Sequence, residues 1–250
     1  MPKTKTILIT GSSRGIGAAL ATHFLGQGDK VILNYARSAH EAETLYKDLV
    51  SRFDPTCVLL IKADVSDRQQ VQSLFRQANE QMGCVDVLIN NAGQNMDGPF
   101  LEMTDTQWDR VLATNLTGAF ICAQEFVFQL QMQAGQIINI AASTGIHGRK
   151  NGVNYCSAKA GLITMTKCLA LELAPGIAVN CVIPGYIDTE EVITRFNLHD
   201  EVARQKTLDT IPQDRLGTTG DICASVDFLV HAASFMTGQN LFVNGGEYMH

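Results

Sequence analysis

The stretch "TKTILITGSSRGIGAAL", residues 4–20, decides the architecture. Its first seven residues carry the β-branched, apolar pattern of a short buried strand, and "IGAALATHFLGQG" continues in a helical one. Between them stand Gly11, Gly15 and Gly17, spaced G-x-x-x-G-x-G. Glycine lets such a turn take positive φ and approach a pyrophosphate, whose charge the free N–H groups of the next helix then meet. A merely structural tight turn is the alternative, but the position between a strand and a helix favours nucleotide binding.

Outward from this turn, strands alternate with helices. "KVILNY" leads to a polar helix from about Ser38 to Arg52, "CVLLI" to one from about Asp67 to Met82, and "VDVLIN", "QIINIAA", "IAVNCVI" and "NLFVNGG" follow. Strands apolar on both faces and separated by helices form parallel sheets covered on both sides. The chain is therefore expected to be α/β, a three-layer doubly wound Rossmann fold with a seven-stranded parallel sheet, in one domain over residues 1–250. The one irregular section is residues 185–217, too polar for core and too long for a simple connection. It is expected to be a substrate-covering flap of two short helices.

Composition narrows the partners. The chain has 250 residues, 46% of them hydrophobic, and a formal net charge of −6 with no Lys/Arg-rich block. Nucleic acid and an anionic membrane surface are therefore not expected, and small molecules are. Seven cysteines without a C-x-x-C pair read as reduced core thiols, with neither a disulfide framework nor a metal site. "MPKTKTILITG" lacks the pattern of a signal peptide and no run of about 18 apolar residues occurs, so a cytoplasmic protein is expected.

At the end of the second strand an acid would bind the ribose hydroxyls of NAD and repel the extra phosphate of NADP. Here "LNYARS" places Asn34 and Tyr35 there, followed by Arg37, and Arg14 sits inside the glycine turn. Either arginine alone could be an ordinary solvated one. Together with the missing acid they point to NADPH.

Further along stand "NNAG" at 90–93, Asn115 in "TNLTGAF", Ser143 in "INIAAS", Tyr155 and Lys159 in "NYCSAKA", and "PGYIDT" at 184–189. With the glycine turn, this set resembles the short-chain dehydrogenase/reductase family from end to end. Within that family "LITGSSRGIG", "NYCSAKAGL" and the terminal "FVNGGEYM" resemble the 3-oxoacyl-acyl-carrier-protein reductases. The resemblance implies reduction of a 3-oxoacyl thioester by NADPH in a homotetramer, with an acyl-carrier protein as a possible partner. A free ketone or secondary alcohol is the alternative substrate. A non-catalytic nucleotide-binding regulator is a third reading, which would be expected to have lost Tyr155, Lys159 or Ser143.

The resemblance also implies residue roles. Tyr155 is the general acid, Ser143 orients the carbonyl oxygen, Lys159 acidifies the tyrosine and binds the nicotinamide ribose, and Asn115 holds a water near Lys159. Residues i and i+4 share a helix face, and an ammonium about 4 Å from a phenol, at an effective dielectric of about 20, supplies the roughly 4 kcal/mol needed to bring its pKa near neutrality. The implied cofactor contacts begin at the turn with Gly11, Ser13, Arg14, Gly15, Ile16 and Gly17. Asn34, Tyr35 and Arg37 follow, then Asp64 and Val65 after the third strand and Asn91, Ala92 and Gly93 after the fourth. Pro184, Gly185, Ile187 and Thr189 complete the set beside Tyr155 and Lys159. Asp64 could equally cap a helix.

His147, Arg149 and Lys150 read as a solvated loop; facing the pocket, they would favour an anionic substrate. Cys156, beside the tyrosine, has no nearby cation in sequence that would make it a reactive thiol. Carrier proteins are acidic, yet "CAQEFVFQLQMQAGQ" and "CLALELAPGIAVN" lack arginine, so carrier docking by charge is expected to be weak.

Overall fold

A computed structural model of the chain describes residues 4–130 and 134–249. The expected readings of "MPK" at the N-terminus and of Gln131, Met132 and Gln133 lie outside the described residues. The strands are β1 (Thr6–Ile9), β2 (Lys30–Tyr35), β3 (Val58–Lys62), β4 (Val87–Asn90), β5 (Gly135–Ile140), β6 (Ile177–Pro184) and β7 (Asn240–Val243). They form one parallel sheet in the order β3-β2-β1-β4-β5-β6-β7.

Alternation along each strand assigns side chains to two cores. Ile7 and Ile9 of β1, with Val31, Leu33, Val87 and Ile89, pack on one face against α1 (Gly15–Gly26) and α10 (Thr219–His231). Leu8, Ile32 and Leu88 face the other way, onto α3 (Arg68–Met82) and α5 (Gly118–Leu130). The remaining helices are α2 (Ala39–Arg52), α4 (Asp105–Leu112), α6 (Thr144–His147), α7 (Val153–Leu173), α8 (Glu190–Arg195) and α9 (Glu201–Leu208).

The helical run from Asp105 to Leu130 is apolar and long enough, by length and composition alone, to cross a membrane. Its Ile121, Cys122, Phe126 and Leu130 are buried against the sheet, which accounts for much of that apolarity. Between α4 and α5 the run widens into a π-helical turn at Ala113–Thr117, a feature frequent at functional sites.

A buried ladder of amides fixes α7 to the sheet. Asn90 donates to Asn139 Oδ1 at 2.9 Å, Asn139 to Thr166 Oγ1 at 2.9 Å, and Thr166 to the Leu162 carbonyl at 2.9 Å. Asn139 and Thr166 each both donate and accept, so this pair of residues fixes the docking of that helix on β5, while Asn90 Oδ1 accepts no hydrogen bond from the described residues.

The section at 185–217 does contain two short helices, α8 and α9, but it is not too polar to have a core. Leu198, Ile211 and Leu216 are buried with Tyr186, Val192, Ile193, Phe196 and Leu208 around them. Its ends are pinned where Asp188 N donates to Gly217 O at 2.7 Å and Gly217 N to Tyr186 O at 2.9 Å. Apolar residues spread across two short helices and a loop show no period, which hid this small core in the sequence.

Candidate active site

The strand order reverses between β1 and β4, and at their carboxyl ends opens a cleft of about 820 Å³. Crevices of this kind are where open parallel sheets bind ligands. The segments after β1, β2, β3 and β4 line its near end. Thr10 Oγ1 accepts from the N–H groups of Asn91 and Ala92, both at 3.0 Å, so the loop after β4 lies directly on the glycine turn. The fit is close: Gly11 has φ +60°, and a Cβ there would stand 2.7 Å from Ala92 Cα. At Gly17 a Cβ would lie 2.6 Å from Asn91 Nδ2 and 2.8 Å from the Gly11 carbonyl. Gly17 is buried behind the turn and does not line the cleft, unlike the other residues expected there.

The first turn of α1 has neither a side-chain cap nor an acidic residue. By contrast, Asp67 caps α3 and Thr218 caps α10 through its own hydroxyl. The uncapped end leaves N–H donors and a partial positive charge at the cleft, which suits an anion such as a pyrophosphate.

Some of the expected contact residues that line the cleft also brace its loops. Asn34 is 2% exposed; its Oδ1 accepts from Gly11 N at 3.2 Å and its Nδ2 donates to Ala63 O at 3.0 Å, so the amide holds the turn to β3. Asn91 donates to the Thr10 and Gly11 carbonyls, each at 3.0 Å. Asp64 does not cap α3, a role that belongs to Asp67; its carboxylate accepts from Ser66 N–H and O–H at the cleft edge. Arg14 and Arg37 are exposed at the rim, and Arg37 Nη1 donates to Gln94 Oε1 at 3.3 Å.

Asn115, Ser143, Tyr155 and Lys159 converge at the far end. The π-helical turn aims Asn115 inward, where its Nδ2 donates to the carbonyls of Gln94 at 2.8 Å and Val111 at 2.9 Å. Its Oδ1 is buried against Gly93 and accepts no hydrogen bond from the described residues. Ser143 follows β5 and donates to Glu247 Oε2 at 3.3 Å.

A family model of the short chain dehydrogenases matches residues 5–198. The chain belongs to the short-chain dehydrogenase family.

This dehydrogenase is 38% identical, over 252 residues and all of both chains, to the 3-oxoacyl-[acyl-carrier-protein] reductase FabG of Staphylococcus aureus. It is also 39% identical to nodulation protein G of a Rhizobium species, covering 96% of this chain and 95% of that one. Among solved structures it resembles one described as a short-chain dehydrogenase/reductase, glucose/ribitol dehydrogenase, from Brucella melitensis. The TM-score is 0.91 at 31% identity, covering 98% of this chain and 97% of that chain.

Within the dehydrogenase, Tyr155 and Lys159 stand together on α7. Lys159 Nζ lies 5.7 Å from the Tyr155 ring centroid and donates to the Ile140 carbonyl at 2.7 Å. Burial lowers its pKa to about 8. Burial also pushes the Tyr155 phenol up, and the cations that pull it back are Arg195 and Arg149.

Arg149 is not part of a solvated loop: Asp97 grips it at 2.6 and 2.8 Å, and its side chain is 15% exposed. His147 and Lys150 are exposed and lie outside the cleft lining. Glu247, Glu191 and Arg195 line the cleft and carried no signal in the sequence reading. Glu247 packs under Gly185, is 9% exposed at its side chain, and has its pKa raised by burial. In the sequence the only sign of it is a lone carboxylate soon after an apolar strand, in "NGGEYM". Thr189 caps α8 through its hydroxyl, with its methyl across from Gly15.

Proposed function

We propose that this oxidoreductase is an NADPH-dependent ketoreductase that reduces a 3-oxoacyl thioester, linked to an acyl-carrier protein or coenzyme A, to the 3-hydroxyacyl product. The observation that carries the reading is the convergence of Ser143, Tyr155, Lys159 and Asn115 at one end of a cleft whose other end is an uncapped glycine turn. The tight Gly11–Ala92 approach and the open end of α1 fit a dinucleotide. Arg14 and Arg37 at the rim, with no acid at the end of β2, support the 2′-phosphate of NADPH. When bound, that cofactor supplies the hydride.

The chain's own residues do the rest. Ser143 donates a hydrogen bond to the substrate carbonyl oxygen and fixes its position; to do so its hydroxyl must turn from Glu247. Tyr155 gives its proton to that oxygen as negative charge develops there, acting as a general acid. Lys159, tied to the β5 carbonyl, holds positive charge beneath the site and can reach a ribose hydroxyl. Thr189, Ile187, Pro184 and Gly185 close the cleft over the ligand.

One observation favours a second reading, a free hydroxylated ketone. The Glu247 carboxylate beside Ser143 would accept a hydrogen bond from a substrate hydroxyl, which a plain acyl chain does not offer.

Phe120 and Phe128 on α5 and Leu171 on α7 are exposed, and such patches support self-association, in this reading as a homotetramer. The α5 face is less bare of charge than its own sequence implies, because Arg68 of α3 reaches across to Glu125 at 3.1 Å and lies over Phe120. Arg149 offers no carrier-docking charge, since Asp97 already pairs it.

The test is a panel of 3-oxoacyl thioesters on carrier protein, coenzyme A and a pantetheine mimic, beside free hydroxyketones, each with NADPH and NADH. Thioester turnover with NADPH is expected, with a carrier gain in kcat/KM under about 10-fold, or about 1.4 kcal/mol. Preference for a hydroxyketone, lost in Glu247→Met, would transfer the assignment to the second reading. Tyr155→Phe should lower kcat about 10³-fold with cofactor affinity nearly unchanged; retention of a tenth of the turnover would end the proton-donor assignment.

A further inference from the structure

We propose that Arg149 and Arg195 are positioning residues for Tyr155, and that Arg195 is delivered by the flap, so that seating α8 completes the proton donor. The inference rests on the proton-donor reading above and adds to it the groups that make the donor competent.

The geometry is specific. Arg149 Cζ lies 5.4 Å and Arg195 Cζ 5.7 Å from the Tyr155 ring centroid, both within cation–π range. The two arginines belong to a side-chain chain drawn from three segments. Asp97 grips Arg149, Arg149 Nη2 donates to Asn95 Oδ1 at 3.0 Å, Asn95 Nδ2 donates to Glu191 Oε1 at 3.2 Å, and Glu191 pairs with Arg195. Asn95 and Asp97 follow β4, Arg149 precedes α7, and Glu191 and Arg195 are on α8 of the flap. The side chains of Arg149 and Arg195 are 15% and 18% exposed.

Because each guanidinium already has a carboxylate partner, the pair is a poor receptor for an anionic substrate. What both present to the cleft is charge held against one phenol. A full charge about 5–6 Å away, at an effective dielectric of about 20, shifts an ionisation by about 2 pH units, and a counter-ion behind it leaves part of that. The charged and titratable groups around the ring are Arg195 from α8, Arg149 from the loop, Asp97 from the segment after β4, and Lys159 and Cys156 from α7 itself. Burial raises the phenol's pKa; Arg195 and then Arg149 oppose it, while Cys156 and Asp97 add to it. Only Arg195 among the opposing groups arrives on a separate, pinned excursion of the chain, tied to the rest of the site through Asn95. Withdrawing α8 therefore removes one of the cations held against the ring.

The experiment needs no ligand. The full chain is made with difluorotyrosine in place of tyrosine, so that the phenol titrates well inside the stable pH range, and the fluorine resonance of residue 155 is assigned by its loss in Tyr155→Phe. Arg195→Gln is expected to raise the midpoint by about one pH unit, a 10-fold change in proton affinity, and Arg195→Lys to recover at least half of it. Asn95→Ala, which cuts the link between flap and loop, should move it the same way by less. Arg149→Gln should raise it too, and the Asp97→Asn, Arg149→Gln double variant should keep part of that rise, because Asp97 itself adds to the phenol's pKa, while regaining thermal stability. A midpoint in Arg195→Gln within about 0.3 pH unit of the parent overturns the proposal. That outcome is separate from activity: an active Tyr155→Phe would remove the proton-donor reading whatever the titration shows, and an inactive one with an unmoved midpoint would remove only the role of the arginines.

Discussion

The two ends of the cleft are built by different means. At the glycine turn, polar side chains bond to nearby backbone: Thr10 to the loop after β4, Asn34 to Gly11 and Ala63, Asn91 to Thr10 and Gly11. At the Tyr155 end, side chains bond to one another across long stretches of chain, each pair including a carboxylate: Arg149 with Asp97, Asn95 with Glu191, Ser143 with Glu247. At the first end the turn is packed with no room for a Cβ at Gly11 or Gly17. At the second, long side chains on α8 and two loops set the charge. A cofactor common to many reactions suits the former, and a substrate to be selected suits the latter.

If that contrast holds, a single methyl group at the near end should outweigh a change of charge there. Gly17→Ala places a Cβ against Asn91 and the Gly11 carbonyl. It is expected to weaken nucleotide binding by at least about 100-fold, near 3 kcal/mol, while leaving the titration of Tyr155 where it was. Calorimetry that finds parental affinity in this variant would break the contrast.

A smaller effect is expected at the rim, where charge acts through solvent. Tyr35→Asp combined with Arg37→Gln should move the NADPH-to-NADH ratio of kcat/KM toward NADH by about 10- to 30-fold, up to about 2 kcal/mol, because a carboxylate repels the 2′-phosphate. A parent that already prefers NADH would refute the reading of "LNYARS".

The smallest effect is on stability. Burial holds the Lys159 pKa at about 8, below the 10.5 of an unburied lysine. Between those values the unfolded chain binds the proton that the folded chain has released, so folding stability rises with pH across that window. Below about pH 8 both states are protonated and the cost of burying the ammonium is fully present. Lys159→Met should therefore stabilise the fold by about 1–2 kcal/mol near neutral pH, with the advantage shrinking as pH rises through that window. Thermal unfolding across the range checks it, and a gain that grows with pH would contradict the assignment.

Local pattern carried the architecture. Strand and helix alternation is written in the side-chain period, and the seven strands, the long Tyr155 helix and the two flap helices appear where "KVILNY", "NYCSAKA" and the 185–217 section place them. The glycine turn was legible for the same reason: only glycine tolerates φ +60° at residue 11 with Ala92 against it. Asn115, Ser143, Tyr155 and Lys159 were legible through family resemblance, and their meeting at one end of the cleft follows from the strand order.

Other features were not written locally. The buried aim of Asn34, the Asp97 grip on Arg149, the cation that α3 lends to α5, and the arrival of Arg195 and Glu247 beside Tyr155 and Ser143 each join residues 23 or more positions apart. Backbone preference acts over a few residues and leaves its mark in composition and period. Which charge faces which depends on how whole elements pack, and that was decided only when the sheet, the loops at its carboxyl ends and the flap came together.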